Sequence, residues 1–309
     1  MTPNELIQKT KNVYNELKSN PELSAFVFRK AMELEGFDLL TTIAVLEQNG
    51  EAENVMTQQT LNRLNLQINP NARGYYIPSP TNVITFKRGD KSVPISQATK
   101  EEKLSVAKGE IQSENQVQYQ WVVGYDIKDT DCPRKNYQNY KNYHFNDVDH
   151  TQIYQNLSSF AESIGFKVIE DNISSLGLDG FYNEKTDEIT VNSKLIVSKK
   201  IKTLCESLAK GVIEQTSTQT EDVKIFEEQL LSKSLQNLCQ LPVDFKEMNF
   251  DIQNLNASFC RTMKATKYIA DGITNQMDIN RQNEQSHMVN KSVEIESDEI
   301  TENFFQGLR

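Results

Sequence analysis

Histidine is nearly missing from this sequence, with three in 309 residues. An imidazole metal site is hard to build from so few, and the two that stand near each other, His144 and His150, read as part of a polar loop. Cysteine is sparse as well. The four, at 132, 205, 239 and 260, form no Cys-x-x-Cys pair and no regular spacing. That excludes a zinc ribbon or a disulfide framework and leaves free thiols, as in a reducing cytosol. No apolar run is long enough to span a bilayer and nothing resembles a secretory signal, so a cytoplasmic protein without a membrane partner is expected. A general excess of positive charge is also lacking. The formal net charge of −10 argues against a uniformly basic nucleic-acid coat.

What charge there is lies unevenly. Arg63 to Lys141 holds 12 basic and 8 acidic residues, net +4, whereas Thr151 to Arg309 holds 16 basic and 24 acidic, net −8. An anionic partner would therefore meet the middle segment first. That segment mixes the cations Arg63, Arg73, Lys87, Arg88 and Lys91 with the rings Tyr75, Tyr76 and Phe86, a mixture that suits single-stranded nucleic acid: cations follow the backbone and rings stack on bases. The competing reading is a solvated β-surface whose rings are core.

Hydrophobic residues make up 37% of the chain, enough for packed cores, and the length suggests two domains or one with appendages. Residues 3 to about 50 read as three helices, the first opened by Thr2-Pro3-Asn4-Glu5 and the last closed at Gly50. From about 55 to 145 the texture is that of strands. "RGYYIPSPTNVITFKRGDKSVPIS" is β-rich but interrupted by Pro78, Pro80 and Gly89-Asp90, so short strands and turns are expected. "QYQWVVGYDIKD" is the clearest strand, with Trp121, Val123 and Tyr125 alternating against Val122 and Gly124. "NYQNYKNYHFND" reads as a linker. Thr151 then opens a second unit: an amphipathic helix on Ile153, Leu157 and Phe160, a strand "FKVIED", a hairpin turning at Asn183-Glu184-Lys185-Thr186, and three helices. Beyond Ile273 the chain is polar, and an acidic tail over 276–309 ends with Phe304-Phe305; little order is expected there.

"TLCESLAKGVIEQ", residues 203 to 215, is the stretch with a chemical question attached. A hairpin, a helix with polar residues four apart, and a following helix with acids facing back make the zincin arrangement. In it, histidines one turn apart bind zinc, the glutamate between them is the general base, and a carboxylate on the next helix completes the site. Here the helix has the shape without the ligands. Ile201, Leu204, Cys205, Leu208 and Val212 form one 3.6-residue stripe, which makes Cys205 a core residue rather than a nucleophile. Glu206 and Lys210, at i and i+4, read either as a surface ion pair or as the filling of a former metal cleft.

Several stretches in order resemble the ArdC/LtrC-like antirestriction and mobile-element family: "NPELSAFVFRKAMELEGFDLLTTIAVLEQN", "TLNRLNLQINPNARGYYIPSP", "WVVGYDIKDTDCP" with Tyr125, Asp126, Ile127 and Thr130, "GLDGFYNEKTDEITVN", "TLCESLAKGVIEQ", and the two closing helices. The resemblance implies an α+β chain. A helical-plus-β, single-stranded-DNA-binding domain over 1–145 would precede a zincin-like α+β domain over 146–275. The family's first histidine falls on Glu206, its glutamate on Ser207 and its second histidine on Lys210, with the third ligand near Glu227, Glu228 or Gln229. No imidazole remains among them, Ser207 cannot act as a carboxylate base, and an ammonium repels a metal. The family tryptophan ahead of the first β segment is likewise missing, replaced around "TLNRL". The expectation is a phage or mobile-element protein in the host cytoplasm that binds single-stranded DNA and protects incoming DNA. Its peptidase domain would be inactive, without zinc or other cofactor. The alternative is an inhibitor that binds a host defence protein through its acidic surface. Lys210 is expected to pair with Glu206 and with Glu227 or Glu228.

Overall fold

In a computed structural model of the chain the described residues are 2–34, 37–134, 136 and 149–287, with side chains described for all of these except 79–82, 116–120 and 278–287. The 137–148 linker with His144, and the acidic tail beyond 287, lie outside them. The architecture is α+β. Three helices open the chain: α1 (Pro3–Glu16), α2 (Pro21–Glu33) and α3 (Leu39–Gln48). Asn20 caps α2, its side chain accepting from the Leu23 amide at 3.1 Å, with Pro21 in the first turn where no amide is needed.

Two compact units are present, and they do not follow chain order. One comprises residues 1–11 and 43–134; the other comprises 12–42 and 135–309. Residues 12–42, expected with the N-terminal domain, thus belong to the second unit. The reason is visible at Phe28 of α2, which is fully buried. Its ring lies 5.0 Å from Phe250, 5.5 Å from Phe259 and 6.0 Å from Phe226, centroid to centroid.

The first unit is built on β1 (Val55–Thr57), β2 (Tyr75–Arg88), β3 (Lys91–Pro94) and β4 (Ser113–Asp126), an antiparallel sheet in the order β1-β4-β2-β3. Helix α4 (Gln58–Arg63) follows β1, and α5 (Lys100–Ala107) follows β3, opened by a Thr99–Glu102 capping box. The prolines do not interrupt β2 as expected. Pro78 and Pro80 are two apart, so both lack their N–H on the same side of the strand. β3 pairs only with residues 85–88 and does not reach that side at 78 and 80, so no ladder bond is lost.

The second unit holds α6 (His150–Ser163), β5 (Lys167–Asp171), β6 (Gly180–Asn183), β7 (Glu188–Asn192), α7 (Val197–Thr216), α8 (Glu221–Leu238) and α9 (Leu255–His287). Its sheet runs β5-β7-β6, β5 parallel and β6 antiparallel to β7. The core joins Leu157 and Phe160 of α6, Ile189 and Val191 of β7, Leu204, Cys205 and Leu208 of α7, Leu231 and Leu235 of α8, and Ile269 of α9. α9 runs 14 residues past Ile273, where the helix was expected to end. Met277, buried one turn on, extends the apolar stripe, and no proline or glycine stands between 274 and 287 to stop it.

Candidate functional site

The alternation of β4 puts Trp121, Val123 and Tyr125 on one face of the first unit's sheet. Cross-strand partners share a face, and the register sets Tyr76 opposite Val123, Pro78 opposite Trp121, and Met56 of β1 opposite Tyr125. The other face carries Tyr75, Ile77 and Gly124, all buried. On the first face Tyr76 is 38% and Val123 41% exposed, and Trp121, Tyr125, Pro78 and Met56 are half-buried. The Tyr76 and Trp121 rings meet edge to face with centroids 6.3 Å apart. Gln48 fixes the backbone at Tyr76, its Oε1 accepting from the amide and its Nε2 donating to the carbonyl, each at 2.9 Å. Gly74 is required beside it, because a Cβ there would fall 2.5 Å from Val123 Cγ1. The result is a rigid, partly exposed aromatic face.

The residues singled out for nucleic-acid contact divide. Tyr76 belongs to this face. Tyr75 does not: the residue is 3% exposed and its hydroxyl accepts from Asn49 Nδ2 at 2.9 Å, because adjacent strand residues point to opposite faces. Phe86 is buried as well. Arg88 is engaged internally. Its Nε and Nη2 hold Glu102 at 2.7 and 2.6 Å, Nη2 also donates to the Gln97 carbonyl, and the guanidinium lies over the Phe86 ring. That bond, with the Thr99 amide, brings the Glu102 carboxyl down to about 2. Arg63, Arg73, Lys87 and Lys91 are exposed. Lys87 stands about 11 residues along β2 from Tyr76, roughly 36 Å at ~3.3 Å per residue, so the rings and the hairpin lysines are two places rather than one patch. Trp121, Tyr125 and Met56 were not among the sequence candidates, although the β4 alternation already put the first two on one face.

Asp126 and Thr130, which carry the family-like strand end, form a clasp. Asp126 is fully buried and accepts from the Glu53 and Lys128 amides at 3.1 and 3.2 Å, with Lys128 Nζ at 3.5 Å. Thr130 Oγ1 donates to the Ile127 carbonyl at 2.7 Å and accepts from the Cys132 amide. Asp126→Ala leaves these donors without their acceptor, and a loss of about 2 kcal/mol is expected in urea unfolding. A loss below about 0.5 kcal/mol, the range of ordinary surface changes, would contradict the clasp.

In the second unit, the stripe of α7 is buried as its period predicts, Cys205 included. Burial pushes the Cys205 thiol well up, and the adjacent Cys239 thiol adds to this, the opposite of an activated nucleophile. Ser207 is also buried. Glu206 is half exposed and pairs with Lys202 at 3.8 Å; burial raises its carboxyl first, against the pull of Lys202 and Lys233.

Lys210 pairs with neither Glu206 nor Glu227. Its Nζ lies 3.7 Å from Oε1 of Glu184, in the β6–β7 turn. Glu227 is 2% exposed and turned to α9. It accepts from Arg261 Nε at 2.9 Å and from Nη2 of the same guanidinium, with Ser217 Oγ at 3.4 Å on its other oxygen. Successive helix positions are about 100° apart, so Glu228, not Glu227, faces α7. Burial raises the Glu228 carboxyl and Lys210 pulls it back. Gln229 is exposed.

These side chains do not fit a divalent metal. Positions 206, 207 and 210 offer a carboxylate, a hydroxyl and an ammonium. Among the described residues no three His, Cys, Asp or Glu side chains come together as a ligand set. No described helix is long and apolar enough to cross a membrane.

No protein-family model and no curated protein matches the chain. Two solved structures are similar to it, the metal-free and the Mn(II)-bound crystal structures of the antirestriction ArdC protein from plasmid R388. Sequence identity is 13% and 14% and TM-score 0.42 and 0.39, over 89% of this chain and 97% of that one. The chemistry of the sites rests on their own side chains.

Proposed function

We propose that this chain is an antirestriction-type accessory protein of a phage or mobile element. In this reading the first unit binds single-stranded DNA, and the second unit is a peptidase-like frame that performs no hydrolysis. One observation carries the DNA-binding part: Tyr76, Trp121 and Tyr125 share one partly exposed sheet face, held rigid by Gln48 and Gly74. A rigid face of rings suits bases that are already unpaired, since every base has a π-face and a duplex hides it. Arg73, exposed next to Gly74, supplies a cation for the phosphates beside the rings. Lys87 and Lys91 serve a longer strand lying along β2. In the second unit, Ser207 has no carboxylate to act as general base, which supports the reading of an inactive frame.

Binding of a labelled oligonucleotide at two salt concentrations tests the reading. The wild type is expected to lose affinity as salt rises. Trp121→Ala and Tyr76→Ala are each expected to weaken binding by about 1–3 kcal/mol, the worth of a stacked base. Lys87→Ala and Lys91→Ala should flatten the salt slope by about one each if both touch phosphate. Tyr75→Phe, which removes only a buried hydroxyl, should leave affinity unchanged. Absence of oligonucleotide binding, or full affinity in Trp121→Ala, would overturn the assignment. Binding to a host defence protein would then be the reading to pursue.

A further inference from the structure

The long strands β2 and β4 have unlike outer edges. β1 pairs only with residues 124–126 of β4, and β3 only with residues 85–88 of β2. Between these the sheet is two strands wide, a width that is marginally stable by itself in water. Gln48 takes both the amide and the carbonyl of Tyr76, so the even-numbered residues of β2 turn their backbone groups away from β4. That edge is guarded: Gln48 sits at 76, Pro78 and Pro80 carry no N–H, and β3 takes 86 and 88. The same register makes the odd-numbered residues of β4 the outward ones on its other edge. No described strand pairs with them from 113 to 123. Among the described residues no backbone bond outside the sheet reaches Ser113, Asn115, Trp121 or Val123. β4 also lacks the devices that keep a second strand off an edge: it holds no proline and no lysine, and no bulge interrupts its register with β2.

We infer that this edge is the seat of a second copy of the chain: β4 pairs antiparallel with β4 of that copy over residues 113–121, about a two-fold axis at Val117. Centred there, the backbones of Ser113, Asn115, Val117, Tyr119 and Trp121 meet their counterparts as hydrogen-bonded pairs and form about ten bonds, the number carried by a typical stable interface. The span fits the free edge. It starts where β4 starts and leaves Val122 and Val123 before Gly124, where β1 takes over. Charge permits the pairing as well. Glu114 is the one charged residue between 113 and 121, and the two-fold sets it across from Gln120 of the second copy rather than across from itself. An isologous contact of this kind uses the same strand twice. Its axis stands normal to the sheet, so the faces that carry Tyr76, Trp121 and Tyr125 in the two copies lie on one side and join into a single surface of double length.

Sedimentation of the full chain across a concentration series tests the pairing. No DNA is present, so a failure here leaves the proposed function standing. The wild type is expected to pass reversibly from 35.4 kDa to twice that mass. Asn115→Pro, checked for folding by circular dichroism, blunts this edge as Pro78 and Pro80 blunt that of β2. One substitution strikes a two-fold interface twice, and the dimer should weaken at least about tenfold. Hydrogen exchange on the wild type reads the edge directly and needs no variant. The Trp121 amide should slow as concentration rises. The Val122 amide, which points to β2, should be slow throughout, and the Val123 amide, beyond the pairing, should stay fast. A dimer that Asn115→Pro leaves intact, or a Trp121 amide indifferent to concentration, would overturn the inference. So would a single 35.4 kDa species at every concentration, which would leave the edge to a strand of another protein.

Discussion

Phe28→Ala is expected to cost about 4 kcal/mol, the range for deleting a fully buried ring, and to loosen parts of the chain some 200 residues away in sequence. Phe28 is enclosed by Phe226, Phe245, Phe250 and Phe259, the last two of these reached from the segments on either side of Asn254. Edge-to-face and tilted contacts of this kind add to the apolar area that the ring removes from water. Truncation leaves a cavity that those four rings, themselves fully or almost fully buried, cannot collapse to fill. Hydrogen exchange is the discriminating measurement. The amides of α8 and α9 should lose protection, while those of β2 and β4 should keep it. Loss of protection in the sheet, with α8 and α9 unchanged, would mean that α2 belongs with the first unit after all. Phe28→Leu should retain much of the stability, because it keeps most of the volume.

Arg261→Ala is expected to destabilise the second unit by about 3 kcal/mol, because it removes the partner of a buried carboxylate. For a unit of this size that is a fall of roughly 6–12 °C in Tm. Glu227 is 3% exposed by side chain, and the guanidinium that meets it is 39% exposed. The cost therefore lies mainly in the stranded acid, since an exposed arginine head loses little by going. Ser217, at 3.4 Å, is too weak a donor to take over. The double variant Arg261→Ala/Glu227→Gln should recover part of the loss, since an amide is cheaper to bury than a carboxylate. A double variant no more stable than Arg261→Ala alone would show that the packing of the arginine stem, rather than the charge, is what α8 and α9 share.

Periodicity made much of the fold legible. The stripe from Ile201 to Val212 announced a buried face of α7 and placed Cys205 in it. The alternation of Trp121, Val123 and Tyr125 announced a strand with two different faces. The hairpin turn around Asn183 to Thr186 and the strand over 167–171 lie where the pattern put them. Composition spoke to chemistry as well: Glu206, Ser207 and Lys210 offer a carboxylate, a hydroxyl and an ammonium, and no imidazole stands on this helix.

A repeat of 3.6 or 2 residues says that a face is buried but not what buries it, and that limit accounts for what only the tertiary structure decided. Helix α2 is amphipathic by sequence, yet its partners are phenylalanines beyond residue 225. Tyr75 and Tyr76 are equivalent in composition, and the sheet's pairing made one of them core and the other surface. Pro78 and Pro80 look like breakers until the missing partner strand shows that their lost donors were not needed. Glu227 and Glu228 are neighbours in sequence, and the 100° step of a helix packed between α7 and α9 turned one to Arg261 and the other toward α7. Lys210 itself found its carboxylate on the β6–β7 turn, a contact that sequence spacing could not supply because it closes only when the hairpin folds against α7.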